Sequence, residues 1–222
     1  GEGLDPERSL SVTLGADFGH QINNTLWRFS LGLFSTRLRD AFDLRFVEAT
    51  DNAQIFERYN TSGARVQGLE AEWGMKNTAG FEVLTGWTLQ RSRYDEPEGD
   101  FSSKRMLRTP DLHGFVRLIL PLGKRFFSNH ECRFTGTMQI PHYAGFIAED
   151  RLEKSPAFVE WDASVGRTFT LGDHQEITAE FRVQNILNRF QNDLDQGLYR
   201  DAGYVYGPRR PRTFRLTLRY HF

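Results

Sequence analysis

The side chains of this sequence that could do chemistry fall into a few groups. Asp95, Glu96, Glu98 and Asp100 place four carboxylates within six residues, and clustered hard oxygens on a loop are what a calcium ion takes. Pro97 and Gly99 interrupt the run, and the ordered ligand spacing of a calcium loop is absent, so a solvated loop is expected. Arg209, Arg210, Arg212 and Arg215 could grip an anion, because guanidinium forks pair bidentately with phosphate or carboxylate. Two readings stay open. Arg209, Arg210 and Arg212 are candidate residues for binding an anionic cargo, or they serve loop packing and contact with lipid phosphates, and the second is the plainer.

The histidines at positions 20, 113, 130, 142, 174 and 221 share no spacing that would put two on one ligand face, so no metal site is expected. Glu70, Glu72 and Lys76, and Glu180 with Arg182, could form acid and base pairs. Catalysis would also require a nucleophile or a perturbed pair in a dry pocket. They are expected instead as salt bridges, and no catalytic residue and no cofactor is expected. Cys132 is the only cysteine, so no intrachain disulfide, zinc knuckle or iron–sulfur motif can form. It reads as a small apolar side chain.

These groups must be positioned by a chain of 222 residues with 28 basic and 29 acidic side chains and a formal charge of -1. That balance gives no field to recruit nucleic acid. Apolar residues make up 39%, mean hydropathy is -0.54, and no run of about 18 apolar residues could form a membrane helix. Strands that cross a membrane alternate, however, and leave average hydropathy near that of soluble proteins. Gly1 to Pro6 has neither the basic region nor the apolar core of a signal peptide. An exported protein would therefore carry its leader upstream.

Alternation is what the sequence offers. From Thr213 to Phe222 apolar and polar residues alternate without a break, giving one oily and one wet face. The same period recurs over residues 9–19, 25–38, 63–76, 81–92, 112–122, 130–142, 158–171 and 176–188. One face carries Leu10, Val12 and Leu14; Trp27, Phe29, Leu31 and Leu33; Leu69, Ala71, Trp73 and Met75; then Cys132, Phe134, Met138 and Ile140; and Ile177, Ala179, Phe181 and Val183. Connections alternate between short turns, such as Asn77 to Gly80 or Gly172–Asp173, and long polar stretches, the first running from about residue 39 to 62. This rhythm predicts an antiparallel transmembrane β-barrel with short turns on one side of the membrane and long extracellular loops on the other. Trp27, Trp73, Trp87 and Trp161, with Tyr143, Tyr220 and Phe222, fit interface girdles. If the short turns are periplasmic, the first strand begins outside. About nine strands of that kind leave two open edges, which the hydrocarbon region does not tolerate, so an all-β C-terminal portion of a larger barrel is expected across residues 1–222.

Particular phrases sharpen this. Leu4-Asp5-Pro6-Glu7-Arg8-Ser9 resembles the "L-x-P-E-x-S" phrase before a mid-barrel strand of TonB-dependent outer-membrane receptors. Gly68-Leu69-Glu70-Ala71-Glu72 resembles their "G-x-E-x-E" strand start, and Arg108-Thr109-Pro110 their "R-x-P" phrase. Val183-Gln184-Asn185-Ile186-Leu187-Asn188, then Tyr204 to Phe214, then a terminal Phe222 resemble the family's ending in order and spacing. The resemblance implies the final strands of a barrel of about 22, with the plug domain and earlier strands outside residues 1–222. It further implies a Gram-negative outer membrane, TonB-coupled uptake of a scarce nutrient (iron chelate, haem, cobalamin or oligosaccharide), and contact with outer-membrane lipid and lipopolysaccharide. Phe222, with Tyr220, would serve as a signal to the barrel-assembly machinery, and the charged wet face would grip the plug. Two rivals remain on the sequence alone. A small autonomous barrel could act as an adhesin or structural protein, and a soluble β-sandwich could act as a binding module.

Overall fold

A computed structural model describes residues 3–50, 53–172 and 175–222. The chain folds as β1 (Arg8–Ile22), β2 (Thr25–Arg39), β3 (Phe42–Thr50), β4 (Ala53–Asn60), β5 (Ala64–Asn77), β6 (Glu82–Tyr94), β7 (Leu112–Gly123), β8 (Phe126–Thr135), β9 (Gln139–His142), β10 (Arg151–Lys154), β11 (Phe158–Thr170), β12 (Glu176–Gln184) and β13 (Thr213–His221). Among the described residues there is no helix. Nine strands form one antiparallel sheet in the order β1-β2-β5-β6-β7-β8-β11-β12-β13, and β3–β4 and β9–β10 form two separate ribbons. The sheet is open among the described residues, with β1 and β13 at its edges.

Register carries the alternation of each strand across the whole sheet, because a residue directly opposite another shares its face. Leu14, Leu33, Leu69, Leu89 and Leu112 stand opposite one another across five strands. Val116, Cys132 and Trp161 continue the same face on β7, β8 and β11, and Phe181 faces Leu216 on β12 and β13. This face is apolar and uncovered, with Leu14 69% and Leu216 70% exposed. Among the described residues the strands in contact are hydrogen-bonded neighbours, and apolar side chains this exposed are not covered by a second sheet, which argues against a β-sandwich. Exposed apolar surface on this scale requires a partner, and a wall whose outer side meets hydrocarbon provides one.

The other face carries the charged and small residues, including Asp17, Ser30, Glu70, Glu72, Glu131, Arg133, Glu160, Asp162, Glu180 and Arg182. On this face rings are seated on glycines. A Cβ on Gly166 would lie 2.4 Å from the Phe127 ring, and one on Gly86 would lie 2.7 Å from Phe115. The connections β1–β2, β5–β6, β7–β8 and β11–β12 are short, and those after β2, β6, β8 and β12 are long. All the long ones therefore leave from one rim.

Several boundaries differ from the sequence reading. The stretch expected as a loop from about residue 39 to 62 holds the β3–β4 ribbon, whose interleaved charges conceal its alternation. β1 runs through Gly19 to Ile22 and turns at Asn23, in left-handed geometry at φ 51. The strand expected over residues 130–142 starts at Phe126 and leaves the sheet after Thr135, where the Gly136 N–H donates to the Leu112 carbonyl at 2.8 Å. Met138 and Ile140 are thus not on the outward face, and Ile140 is fully buried under the loops. The alternation continued because β9 is itself a strand. Likewise β12 stops at Gln184, as Asn185 takes φ 51. Asp173 and His174 lie outside the described residues.

Candidate functional site at the long-loop rim

The loop after β8 and the loop after β12 meet in a buried polar hub. Two chain segments build it. The β9–β10 ribbon places Ile140 opposite Glu153 and His142 opposite Arg151. The loop between β12 and β13 is pinned at its base by Asn185, which is buried. Its N–H donates to Asp162 Oδ1 at 2.8 Å, and its Nδ2 donates to the carbonyls of Arg189 and Arg210 at 3.0 and 2.9 Å. Gln191 then ties the far side of the loop back: Nε2 donates to the Tyr204 carbonyl at 3.1 Å, and Oε1 accepts from the Tyr206 N–H at 2.9 Å. Buried amides satisfied in this way fix irregular backbone in place.

His142 sits at the centre, 3% exposed. Its Nδ1 is 2.9 Å from Glu153 Oε1, and its Nε2 is 2.9 and 3.0 Å from the two carboxylate oxygens of Asp195. An ionised carboxylate can only accept, so both ring nitrogens donate and the ring is an imidazolium. Burial, the largest single influence, pulls the imidazole pKa down, but the hydrogen bonds to Glu153 and Asp195 together outweigh it and leave the value raised. Glu153 also feels burial first, pushing its pKa up. Bonds from His142, from the Tyr204 hydroxyl at 2.8 Å and from Arg151 Nε at 2.7 Å overcome this and bring its carboxyl to about 2. Tyr204 and Tyr206 hold their phenol protons well above the usual range, through burial and then through donation to Glu153 and to Asp193.

The second long loop joins the same assembly. Arg108 donates its backbone N–H to the Gln139 carbonyl and its Nη2 to the Gly203 carbonyl, each at 2.7 Å. Tyr143 donates its N–H to Asp201 at 3.1 Å and meets Phe101 edge-on, with ring centroids 5.3 Å apart. Above the hub stand exposed apolar side chains at the loop tips: Phe146, Leu198 and Tyr199. A Cβ on Gly145 would lie 2.3 Å from the Tyr199 carbonyl, so the third and fourth loops touch there. Among the described residues each carboxylate of the hub is already engaged. What the arrangement can do is hold three loops in one shape and present aromatic and charged groups at a mouth.

The residues singled out from sequence are dispersed relative to this hub. Arg209, Arg210 and Arg212 are exposed on the last loop. Arg212 is engaged in packing, donating Nη2 to the Ile186 carbonyl at 2.6 Å and its N–H to Asn188 Oδ1 at 2.9 Å. Arg215 lies apart from them on the wet face of β13, opposite Arg182. Three members of the acidic run are engaged within their own surroundings. Asp95 pairs with Arg37 at 3.5 Å, Glu98 accepts from the Phe101 N–H at 2.9 Å, and Asp100 faces the Tyr143 hydroxyl at 3.5 Å. Lys76 pairs with Glu82 and Glu180 with Arg182, both at 3.2 Å, on the wet face. Arg133 lies among Glu131, Glu160 and Asp162 at 3.2 to 3.8 Å. The four tryptophans are on the outward face, whereas Tyr143 lies in the loop beyond β9, where the shift of β8 places it. Tyr220 and Phe222 stack with centroids 5.8 Å apart, and Phe222 is 96% exposed. His20 and His130 face outward and His113 and His221 inward. Among the described residues no group of His, Cys, Asp and Glu is disposed to hold a metal.

The sequence missed the hub because its partners are 11 and 53 residues from His142, beyond any local spacing. The Tyr204-Val205-Tyr206 pair and buried Gln191 are its nearest local signals.

A nine-stranded antiparallel wall, apolar on one side and charged on the other, with every long loop on one rim among the described residues, is the architecture of a membrane-spanning β-barrel wall. The chain belongs to the TonB-dependent receptor-like β-barrel family, whose family model matches residues 1–186. A comparison with curated proteins finds no match. Among solved structures, the chain is similar to the ferric-catecholate import receptor Fiu of Escherichia coli K12, with TM-score 0.69 and 19% identity over 99% of this chain and 28% of that one. It is similar to the siderophore receptor PirA of Acinetobacter baumannii, with TM-score 0.67 and 17% identity over 99% and 32%. It is similar also to the pyoverdine outer-membrane receptor FpvA of Pseudomonas aeruginosa PAO1, with TM-score 0.70 and 15% identity over 99% and 30%. The chain thus spans about a third or less of the length of these structures. At these identities the likeness establishes the fold.

Proposed function

We propose that residues 1–222 are the C-terminal wall and mouth of an outer-membrane receptor that takes up a scarce nutrient, an iron chelate or a comparable metal complex, with energy supplied through TonB. The observation that carries this reading is the two-faced sheet with open edges at β1 and β13. An edge in hydrocarbon leaves unpaired N–H and C=O groups at several kcal/mol each, so further strands complete the barrel, to about 22. A plug seated against the wet face meets the charged rows around Arg133 and Glu180. The barrel lies in a Gram-negative outer membrane, and assembly machinery reads Phe222 and Tyr220. The receptor does transport and no catalysis.

At the mouth, Tyr143, Phe146 and Tyr199 offer ring faces to a cargo, and Arg209 and Arg210 offer charge to an anionic one. The similar proteins described as siderophore receptors favour a chelate over a sugar. The test is growth of a strain lacking the gene on a panel of iron(III) chelates, haem and cobalamin, each as sole source. Growth on one member should be lost, restored by the wild-type gene, and weakened by Phe146→Ala with Tyr199→Ala. Undiminished growth on every member would overturn the proposal.

A further inference from the structure

The His142 side chain and the Tyr143 backbone are tied to the fourth long loop by one closed circuit. His142 Nε2 meets the two Asp195 oxygens at 2.9 and 3.0 Å, and Asp195 Oδ2 also accepts the Asp201 N–H at 3.0 Å. Asp201 Oδ2 in turn accepts the Tyr143 N–H at 3.1 Å. The circuit ends beside the loop tips. On one side the chain passes through Ala144, whose N–H donates to Asp150 Oδ1 at 2.6 Å, to Gly145 and Phe146. On the other, Leu198 and Tyr199 lie between Asp195 and Asp201 in sequence. Gly145, at φ 142, packs so closely on the Tyr199 carbonyl that a side chain there has no room.

One proton decides whether this circuit holds. The groups around the His142 ring are Glu153 and Arg151 from β10 and Asp195 and Tyr204 from the fourth loop, with Asp193, Tyr206 and Asp201 bonded to those in turn. A neutral imidazole has a single N–H. The Asp195 side chain is 1% exposed and has the Asp201 N–H as its other donor, whereas Glu153 is 28% exposed and keeps Arg151 and Tyr204. The remaining N–H therefore stays with Asp195, and Nδ1 turns a lone pair towards Glu153 Oε1 at 2.9 Å. Two acceptors at that distance repel. Glu153 parts from the ring and draws with it the Tyr204 hydroxyl, bonded at 2.8 Å, which unseats the Tyr204 ring from the face of His142.

Resting on the reading of Phe146 and Tyr199 as cargo contacts, we infer that His142 is a positioning residue of the mouth and that its proton works as a latch. With the proton bound, the third and fourth loops hold these rings at one spacing. With it lost, the loops part and the cargo's hold weakens. The coupling is reciprocal: cargo that requires the closed mouth strengthens the grip on the proton by the same factor as the proton strengthens the grip on cargo. Coupling of this kind changes affinity about tenfold.

The test uses the full-length protein in nanodiscs, with Cys132→Ala and with nitroxides on Glu149→Cys of the third loop and Leu198→Cys of the fourth, both exposed positions. Pulsed electron paramagnetic resonance reads the spacing of the loops. It should be narrow in mildly acidic buffer and spread as pH rises through a one-proton midpoint above 6.5. Affinity for the member of the nutrient panel that the strain requires should fall about tenfold across the same midpoint. Glu153→Gln removes one of the two charges that hold the proton and should move the midpoint down. His142→Gln, which cannot become charged, should leave the spacing spread and the affinity flat at every pH. A wild-type spacing that ignores pH, an unmoved midpoint in Glu153→Gln, or an affinity that ignores pH while the spacing follows it would each overturn the inference. Should His142→Gln fail to insert, Glu153→Gln decides. A strain that requires no member of the panel overturns the receptor reading while the loop spacing still decides the latch, so the two failures are distinguishable.

Discussion

The Tyr204 ring lies flat on the His142 ring, centroids 3.6 Å apart and planes 10° from parallel. The tyrosine belongs to the fourth long loop and the histidine to the ribbon in the third, so this single stack joins two loops that diverge from different strands. It also closes the imidazolium off from water, leaving Glu153 and Asp195 as the partners of its two nitrogens. A cation sandwiched by an electron-rich ring and gripped by two carboxylates is stabilised from every side.

A pH dependence follows, with a definite sign. The imidazole pKa is raised in the folded loops, so its contribution is complete below the ordinary value of 6.5 and lost as pH rises through the raised one. The Glu153 carboxyl is lowered to about 2 from 4.5, so its contribution is complete above 4.5 and lost as pH falls through about 2. Between these limits the loops are most tightly joined. Amide hydrogen exchange of residues 139–154 and 185–212 should therefore be slowest in mildly acidic buffer and accelerate, beyond the intrinsic rate, as the medium becomes alkaline. A protection factor flat from acid to alkaline pH would refute the imidazolium.

Removing one partner tests the same hub chemically. The Asp195 side chain is 1% exposed, and Asp195→Asn keeps its shape while leaving the imidazolium gripped on one side. Breaking a buried pair costs about 3 kcal/mol. Limited proteolysis of the full-length protein should then cut within residues 193–203, while the heat-resistant gel mobility of the barrel is retained. Cleavage as slow as wild type would mean the hub is dispensable.

The legibility of this molecule in its sequence was uneven for a physical reason. Which side of the wall each residue faces could be read from period two alone, because register transmits parity from strand to strand: Leu33, Leu69 and Leu89 align as the pattern requires. Where strands stop could not. The alternation of β8 runs on into β9 although the chain has left the sheet at Gly136, so Ile140 reads as lipid-facing and is buried in the loops. The hub itself is assembled by loop closure across 53 residues, which no local window reports. Cys132 was legible, since it shares its face with Val116 and Trp161 as a small apolar residue would.

Inside the wall, Phe127 fills the space above Gly166. A Cβ on Gly166 would stand 2.4 Å from the tip of the Phe127 ring, so the ring must move aside to admit it. Gly166→Ala should cost about 1 to 3 kcal/mol by overpacking and lower the temperature at which the folded gel band disappears. Adding Phe127→Leu should return part of that loss, a coupling that a double-mutant cycle measures. Additive losses would place the ring elsewhere.

The chain's last side chain makes the final prediction. Phe222 continues the outward parity of Tyr220, Leu218, Leu216 and Phe214, and it stacks on Tyr220 while almost wholly exposed. A ring that only anchored its strand to lipid would be interchangeable with another bulky apolar side chain at that edge. A ring read by assembly machinery would not be. Deleting Phe222 from the full-length protein should therefore lower its level in the outer membrane and raise the unassembled pool, and Phe222→Leu should fail to restore it, whereas Phe222→Trp should restore it in part. Full rescue by leucine would assign Phe222 to anchoring alone, and unchanged levels after deletion would remove it from assembly altogether.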